Sequence, residues 1–182
     1  MMSELEEKTL KTKEIYHGKI ITLHLDEVEL PNGKTATREI VKHPGAVAIM
    51  ALTSDQRMIF VRQFRKPLEK TILEIPAGKL EKGEDPKRCA ERELLEETGY
   101  TAKQLKQISA FYTSPGFANE FLYLFEAEDL VSGQAEPDED EFVELTLLNL
   151  KEAFEAIERG EIIDAKTVLA VYYWQNQQLQ GK

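Results

Sequence analysis

The run from Glu91 to Glu97 limits this chain's options more than any other stretch. It puts four carboxylates, Glu91, Glu93, Glu96 and Glu97, in one helix whose ends are marked by the flanking residues. Asp85 suits an N-cap and Pro86 the first helical position. Gly99 suits the C′ position. The carboxylates therefore fall in the C-terminal half of the helix, where its dipole is negative. Like charges at i,i+3 and i,i+4 cost about 0.2–0.5 kcal/mol each. An anion near a helix C-terminus forfeits about 0.3–1 kcal/mol more. A chain that tolerates both needs something positive nearby, and a divalent cation is the obvious candidate.

Side chains at i and i+4 share a helix face. Glu93 and Glu97 therefore stack, with Glu96 beside them. Arg92, four residues before Glu96, can orient it through a charge-assisted hydrogen bond. Ala90 and Leu94 flank this face and suit packing on a sheet. The stretch from Gly78 to Glu84 reads as a glycine-containing loop, and Gly78 lets backbone come close to a ligand or ion. Clustered carboxylates with a backbone carbonyl suit Mg²⁺ or Mn²⁺.

At 182 residues and 42% apolar content the chain can build one medium domain, with room for a small appendage. A net charge of −10 and a pI near 4.9 argue against a general nucleic-acid or anionic-membrane binder. An acidic chain that handles phosphate must supply local cations. Cys89 is the only cysteine, which rules out an internal disulfide and fits a reducing compartment. No apolar run is long enough to span a membrane, and the charged N-terminus lacks a secretory core. A cytoplasmic protein is expected.

Residues 14–42 read as β, with Pro31-Asn32-Gly33 as a turn. Such a hairpin region cannot stand alone and must pack on the rest of the chain or on a second copy. The apolar run Gly45–Leu52 predicts a buried strand, and Met58–Phe64 is expected to return beside it. Further strands are expected at Thr71–Ile75, near Leu105–Tyr112, at Phe121–Ala127 and at Phe142–Leu148. Helices are expected over Lys151–Arg159 and from Asp164 to about Gln178. Strands and helices mix without regular βαβ alternation. That leaves the α+β class or a mixed-sheet α/β sandwich.

The spacing of the helix and the segment before it is G-x5-E-x7-R-E-U-x-E-E-x-G-U, where U is bulky and apolar. It is carried by Gly78, Glu84, Arg92, Glu93, Leu94, Glu96, Glu97, Gly99 and Tyr100. This resembles the Nudix box, with an aromatic Tyr100 in the last apolar slot. The resemblance implies a Nudix fold of the α+β class, an α/β/α sandwich with a mixed sheet, carrying an N-terminal antiparallel β extension. It also implies metal-dependent hydrolysis of a nucleoside diphosphate linked to another moiety. By carry-over, Glu93 and Glu97 are metal ligands, the Ala77 carbonyl is another, and Glu96 binds directly or through water. Arg92 holds a carboxylate in place, and Glu84 has a supporting role.

The flanks resemble the ADP-ribose pyrophosphatase branch of that family. The similar segments are Thr37-Arg38-Glu39, Val61-Arg62-Gln63-Phe64-Arg65, Leu73-Glu74-Ile75-Pro76-Ala77-Gly78 and Pro115, sixteen residues beyond Gly99. Arg38 and Arg65 are the kind of residue that grips a pyrophosphate bidentately. Glu39 and Glu74 are candidates for ribose or adenine contacts. The acidic segment Glu136–Glu141 reads by itself as a solvated loop; the resemblance implies that the general base comes from here, before the last sheet strand, Glu141 first, with Glu139 and Glu144 as rivals. An EF-hand is excluded there: the sixth position from Asp138 is not glycine, and the twelfth is Asn149.

The related enzymes often stack an aromatic from the N-terminal region on the adenine, across a dimer. Ile20 stands at that place here and cannot π-stack; Tyr16 is nearby. Phe117 suits either a loop anchor or core. The expected reaction is hydrolysis of ADP-ribose to AMP and ribose 5-phosphate with Mg²⁺, or Mn²⁺ in its place. It would be carried out by a homodimer built through residues 1–42, with residues 43–182 as the hydrolase domain. The alternatives are another nucleoside diphosphate sugar, a dinucleotide, a triphosphate sanitiser, or a non-hydrolytic sensor.

Overall fold

The computed structural model describes residues 5–135 and 142–181. The elements are β1 (Lys8–His17), β2 (Thr22–Glu29), β3 (Thr35–Lys42), β4 (Ala46–Ala51), β5 (Met58–Arg65), β6 (Lys70–Glu74), β7 (Ala77–Lys79), α1 (Pro86–Thr98), β8 (Tyr100–Tyr112), β9 (Phe121–Ser132), β10 (Val143–Leu148), α2 (Leu150–Glu158) and α3 (Ala165–Leu179). They fall into two units. The first holds the residues up to Gly45 together with Phe111–Leu122, and the second holds Ala46–Ala110 and the chain from Tyr123 onward.

In the first unit β1, β2 and β3 form an antiparallel sheet in that order. The β2–β3 turn closes through Gly33 at φ 79° and a Gly33 N–H to Leu30 carbonyl bond of 2.8 Å. The segment after β8 docks on β3: Val41 N–H donates to the Phe117 carbonyl at 2.8 Å, and Asn119 N–H returns to the Val41 carbonyl at 3.1 Å. The β region starts earlier than expected, at Lys8. β1 is an edge strand exposed along its whole length, so no buried stripe marks it in the sequence.

The second unit contains a four-stranded sheet, β7-β4-β9-β8, and a three-stranded one, β10-β5-β6. β4 and β5 are therefore not the expected hairpin pair. A single Leu52–Met58 bridge joins them, and each then enters its own sheet. The reason is that both edges of each strand are already taken, those of β4 by β7 and β9, and those of β5 by β10 and β6. The stretch opening at Gly78 also differs from the expected loop. Of that loop, expected over Gly78–Glu84, the first two residues join Ala77 in β7, in register Ala48–Ala77, Val47–Gly78 and Ala46–Lys79.

The helices cover both faces. Cys89, Ala90 and Leu94 of α1 pack on Val47, Ile49 and Ala51 of β4, with Ile59, Phe125 and Ala127. The alternate residues Ala48, Met50 and Leu124 are buried as well. On that opposite side α3 bonds Gln177 to Glu126 at 2.7 Å, and Thr167 Oγ1 accepts from Ile75 N–H at 3.0 Å. α2 packs on α3 and on β10. This is the expected sandwich. Burying Leu94 contributes about 1.5–3 kcal/mol, so α1 is held as a rigid platform.

Candidate active site

α1 starts and stops where its caps dictate. Asp85 Oδ1 accepts from Lys87 N–H at 3.0 Å and Arg88 N–H at 3.2 Å. Gly99 takes φ 72° and returns its N–H to the Leu95 carbonyl at 2.8 Å. The carbonyl of Gly99 then accepts from Gly133 N–H at 2.7 Å, which ties the end of the helix to the chain leaving β9.

Between these caps Arg92 gathers the carboxylates. Its Nε and Nη2 fork onto Glu84 at 3.0 and 3.1 Å. Its Nη1 donates to Glu93 Oε1 at 2.8 Å and to Glu96 Oε2 at 2.9 Å, the bond to Glu96 anticipated from the spacing. Glu84 also accepts from Glu81 N–H at 2.9 Å. Arg92, with that backbone bond, holds the Glu84 carboxyl well below the usual range, at about 2. Glu97 accepts from Ala77 N–H at 3.0 Å, so its carboxylate sits at the first residue of β7.

Gly78 closes the arrangement. A Cβ built on it would lie 1.8 Å from Glu93 Cδ, so only a glycine leaves room for that carboxylate. Glu93 and Glu97 are 7% and 3% exposed, and burying two anions requires positive charge. Cys89 accepts from Arg92 Nη2 at 3.3 Å, and burial pushes its thiol up to about 12, which removes it as a nucleophile.

Among the described residues, the Glu93 carboxylate lies against Gly78 and that of Glu97 against Ala77, Glu96 shares Arg92 Nη1 with Glu93, and the Ala77 carbonyl adds a further oxygen. This set fits a hard divalent ion. Among the described residues no group of three or more His, Cys, Asp and Glu side chains is drawn together in metal-binding geometry. The carboxylates are shared instead between Arg92 and the Ala77 N–H.

The other expected residues fall in both units. In the second, Arg65 forks onto Glu74, Nε to Oε1 at 2.5 Å and Nη2 to Oε2 at 2.8 Å. Burial pushes the Glu74 carboxyl up, and Arg65 with Lys166 more than offsets this, leaving it below the usual range. Glu144 lies on β10 opposite Arg62. In the first unit Arg38 forks onto Glu7 at 2.8 and 2.5 Å. Glu39, next to it on β3, points to the opposite face. Pro115 follows Ser114, whose carbonyl accepts from Ala118 N–H at 2.9 Å. Phe117 is 58% exposed, which rules out a core role. Ile20 and Tyr16 are exposed too. Glu141 and Glu139 lie outside the described residues.

Sequence reasoning missed Lys166, whose ammonium reaches both Glu74 and Asp164. The available signal was a cation in the first turn of α3, against the helix dipole.

The fold and this carboxylate site define a class, and the chain belongs to the Nudix family. The NUDIX domain model matches residues 42–171, and the model for the nucleoside diphosphate sugar hydrolase N-terminal domain matches residues 7–41. Divalent metal use is typical of this family. Over 176 residues the chain is 57% identical to the ADP-ribose pyrophosphatase of Bacillus subtilis (strain 168), covering 96% of this chain and 95% of that protein. Over 175 residues it is 54% identical to the methanol dehydrogenase activator of Bacillus methanolicus, covering 95% of each. A crystal structure of an ADP compounds hydrolase superposes with a TM-score of 0.85 at 22% identity, over 100% of this chain and 98% of that one. Among the described residues, no helix is long and apolar enough to cross a membrane.

Proposed function

We propose that this chain hydrolyses ADP-ribose to AMP and ribose 5-phosphate, using Mg²⁺, with Mn²⁺ able to replace it. The observation that carries this is the buried Glu93 carboxylate lying against Gly78, beside Glu97 on the Ala77 N–H. It occurs in a chain more than half identical to a protein named ADP-ribose pyrophosphatase.

Glu93, Glu97, Glu96 and the Ala77 carbonyl would hold the ion. When bound it neutralises charge building on the diphosphate and lowers the pKa of the attacking water. The protein's own part is orientation and proton transfer. Arg92 fixes Glu93 and Glu96 from one nitrogen while Glu84 fixes Arg92. Arg65, 40% exposed and anchored on Glu74, presents its remaining N–H groups to the diphosphate. Glu141 takes the proton of the attacking water. Arg38, Glu39, Ile20 and Pro115, all in the first unit, keep the substrate role that the family resemblance implies.

The first 42 residues serve as the dimerisation element of a homodimer. Support comes from β1, an exposed edge strand carrying Leu10, Ile15 and Tyr16 at its surface. A cytoplasmic setting agrees with the single, buried, unpaired cysteine.

The test is a hydrolysis panel with Mg²⁺: ADP-ribose, ADP-glucose, GDP-mannose, NADH, diadenosine polyphosphates and free triphosphates. ADP-ribose is expected to give the highest kcat/KM, and a flat panel would remove the substrate assignment. A second reading is favoured by the 54% identity to a methanol dehydrogenase activator. Adding the chain to a methanol dehydrogenase assay tests it: faster turnover supports that activity, and unchanged turnover removes it.

A further inference from the structure

Lys166 stands two residues after Asp164, the N-cap of α3. A cation in a first helical turn opposes the helix dipole. It is also nearly enclosed, with its side chain 13% exposed. Both features are unfavourable unless anions compensate, and two do. Its ammonium donates to Glu74 Oε2 and, at 2.9 Å, to Asp164 Oδ1.

Glu74 thus lies between two cations. Arg65 reaches it along the sheet, since Arg65 is paired with Lys70 across β5 and β6 while Glu74 is paired with Val61. The four side chains, two cations and two carboxylates, sum to zero. Without Lys166 they would carry one net negative charge, and Arg65 would be cancelled by the carboxylate it forks onto. An incoming diphosphate would then meet repulsion where it now meets a guanidinium. The same turn of α3 braces the backbone nearby, because Thr167 Oγ1 accepts from Ile75 N–H two residues before Ala77.

We infer that Lys166 is a positioning residue for the substrate: held by Asp164, it balances Glu74 so that Arg65 keeps both its place and its attraction for a diphosphate. This rests on the proposed role of Arg65. Removing an interaction that binds substrate and transition state alike raises KM and spares kcat. A purely structural loss carries no such signature.

The experiment is steady-state hydrolysis of ADP-ribose by wild type, R65M, K166M, K166R and the R65M/K166M double variant. K166M is expected to raise KM about 5- to 30-fold, the factor that one or two lost kcal/mol produces. The effect should fall on KM rather than kcat, and K166R should restore most of it. The double variant should be no worse than R65M, because Lys166 acts through Arg65. If R65M raises KM and K166M does not, or if the two effects add in full, the role of Lys166 is overturned. If R65M itself leaves KM unchanged, the role of Arg65 falls and this inference falls with it. Should K166M fail to fold, K166Q is read in the same way.

Discussion

The backbone of Gly78 lies directly against the carboxylate of Glu93, so closely that a methyl group on Gly78 would fall 1.8 Å from Glu93 Cδ. The glycine is therefore the floor of the carboxylate's berth, set there by the pairing of β7 with β4. Gly78→Ala must push Glu93 out of place while leaving the core under α1 untouched. Displacing a reacting geometry by about 1 Å can cost 10²-fold in rate. We expect kcat/KM for ADP-ribose to drop on that order, with a wild-type far-UV circular dichroism spectrum. Activity within a few-fold of wild type would show that Glu93 does not need its berth.

Glu84 makes acid stability readable. Its carboxyl is held at about 2 in the folded chain against an ordinary 4.5, mainly by Arg92. A depressed folded-state value contributes stability that is fully present above the unfolded value and is lost as pH falls through the folded one. Glu84→Gln should therefore lower Tm at pH 7, and the gap to wild type should narrow as pH drops from 4.5 towards 2. A gap that stays constant across that window would mean that the Arg92 fork is not what holds Glu84.

Leu94 is 1% exposed and joins α1 to β4. Leu94→Ala removes buried carbon and leaves a cavity, for an expected loss of about 2–5 kcal/mol in urea unfolding. A loss below 1 kcal/mol would mean that the helix platform rests on something else.

Glu141→Gln should reduce kcat by 10²-fold or more, the scale of general-base catalysis. The effect should be on kcat, with KM little changed. If Glu139→Gln gives this loss and Glu141→Gln does not, the base is Glu139.

Much of this was legible in the chain. The limits of α1 followed from Asp85, Pro86 and Gly99, because capping is a local matter decided by a few residues. The Arg92–Glu96 bond followed from i,i+4 spacing. What stayed hidden was long-range or unpatterned. β1 is exposed throughout, so it carries no apolar alternation. β7 is only three residues long and is defined by its partner β4. The separation of β4 from β5 depends on which strands take their edges, which neither segment records. The Glu84 fork and the Lys166–Glu74–Arg65 group join residues through tertiary packing, and the one local mark, a cation in the first turn of α3, does not name its partners.

The most direct test of the metal-site reading is Mg²⁺-dependent release of AMP from ADP-ribose by Glu97→Gln beside wild type. The glutamine keeps an oxygen to accept the Ala77 N–H, now at 3.0 Å from the carboxylate, so the fold should persist. It removes the negative charge a divalent ion needs. Wild type should release AMP only with the divalent ion present, and the variant should lose at least about 10²-fold in kcat. Near-normal turnover by a folded Glu97→Gln would contradict the metal-site reading.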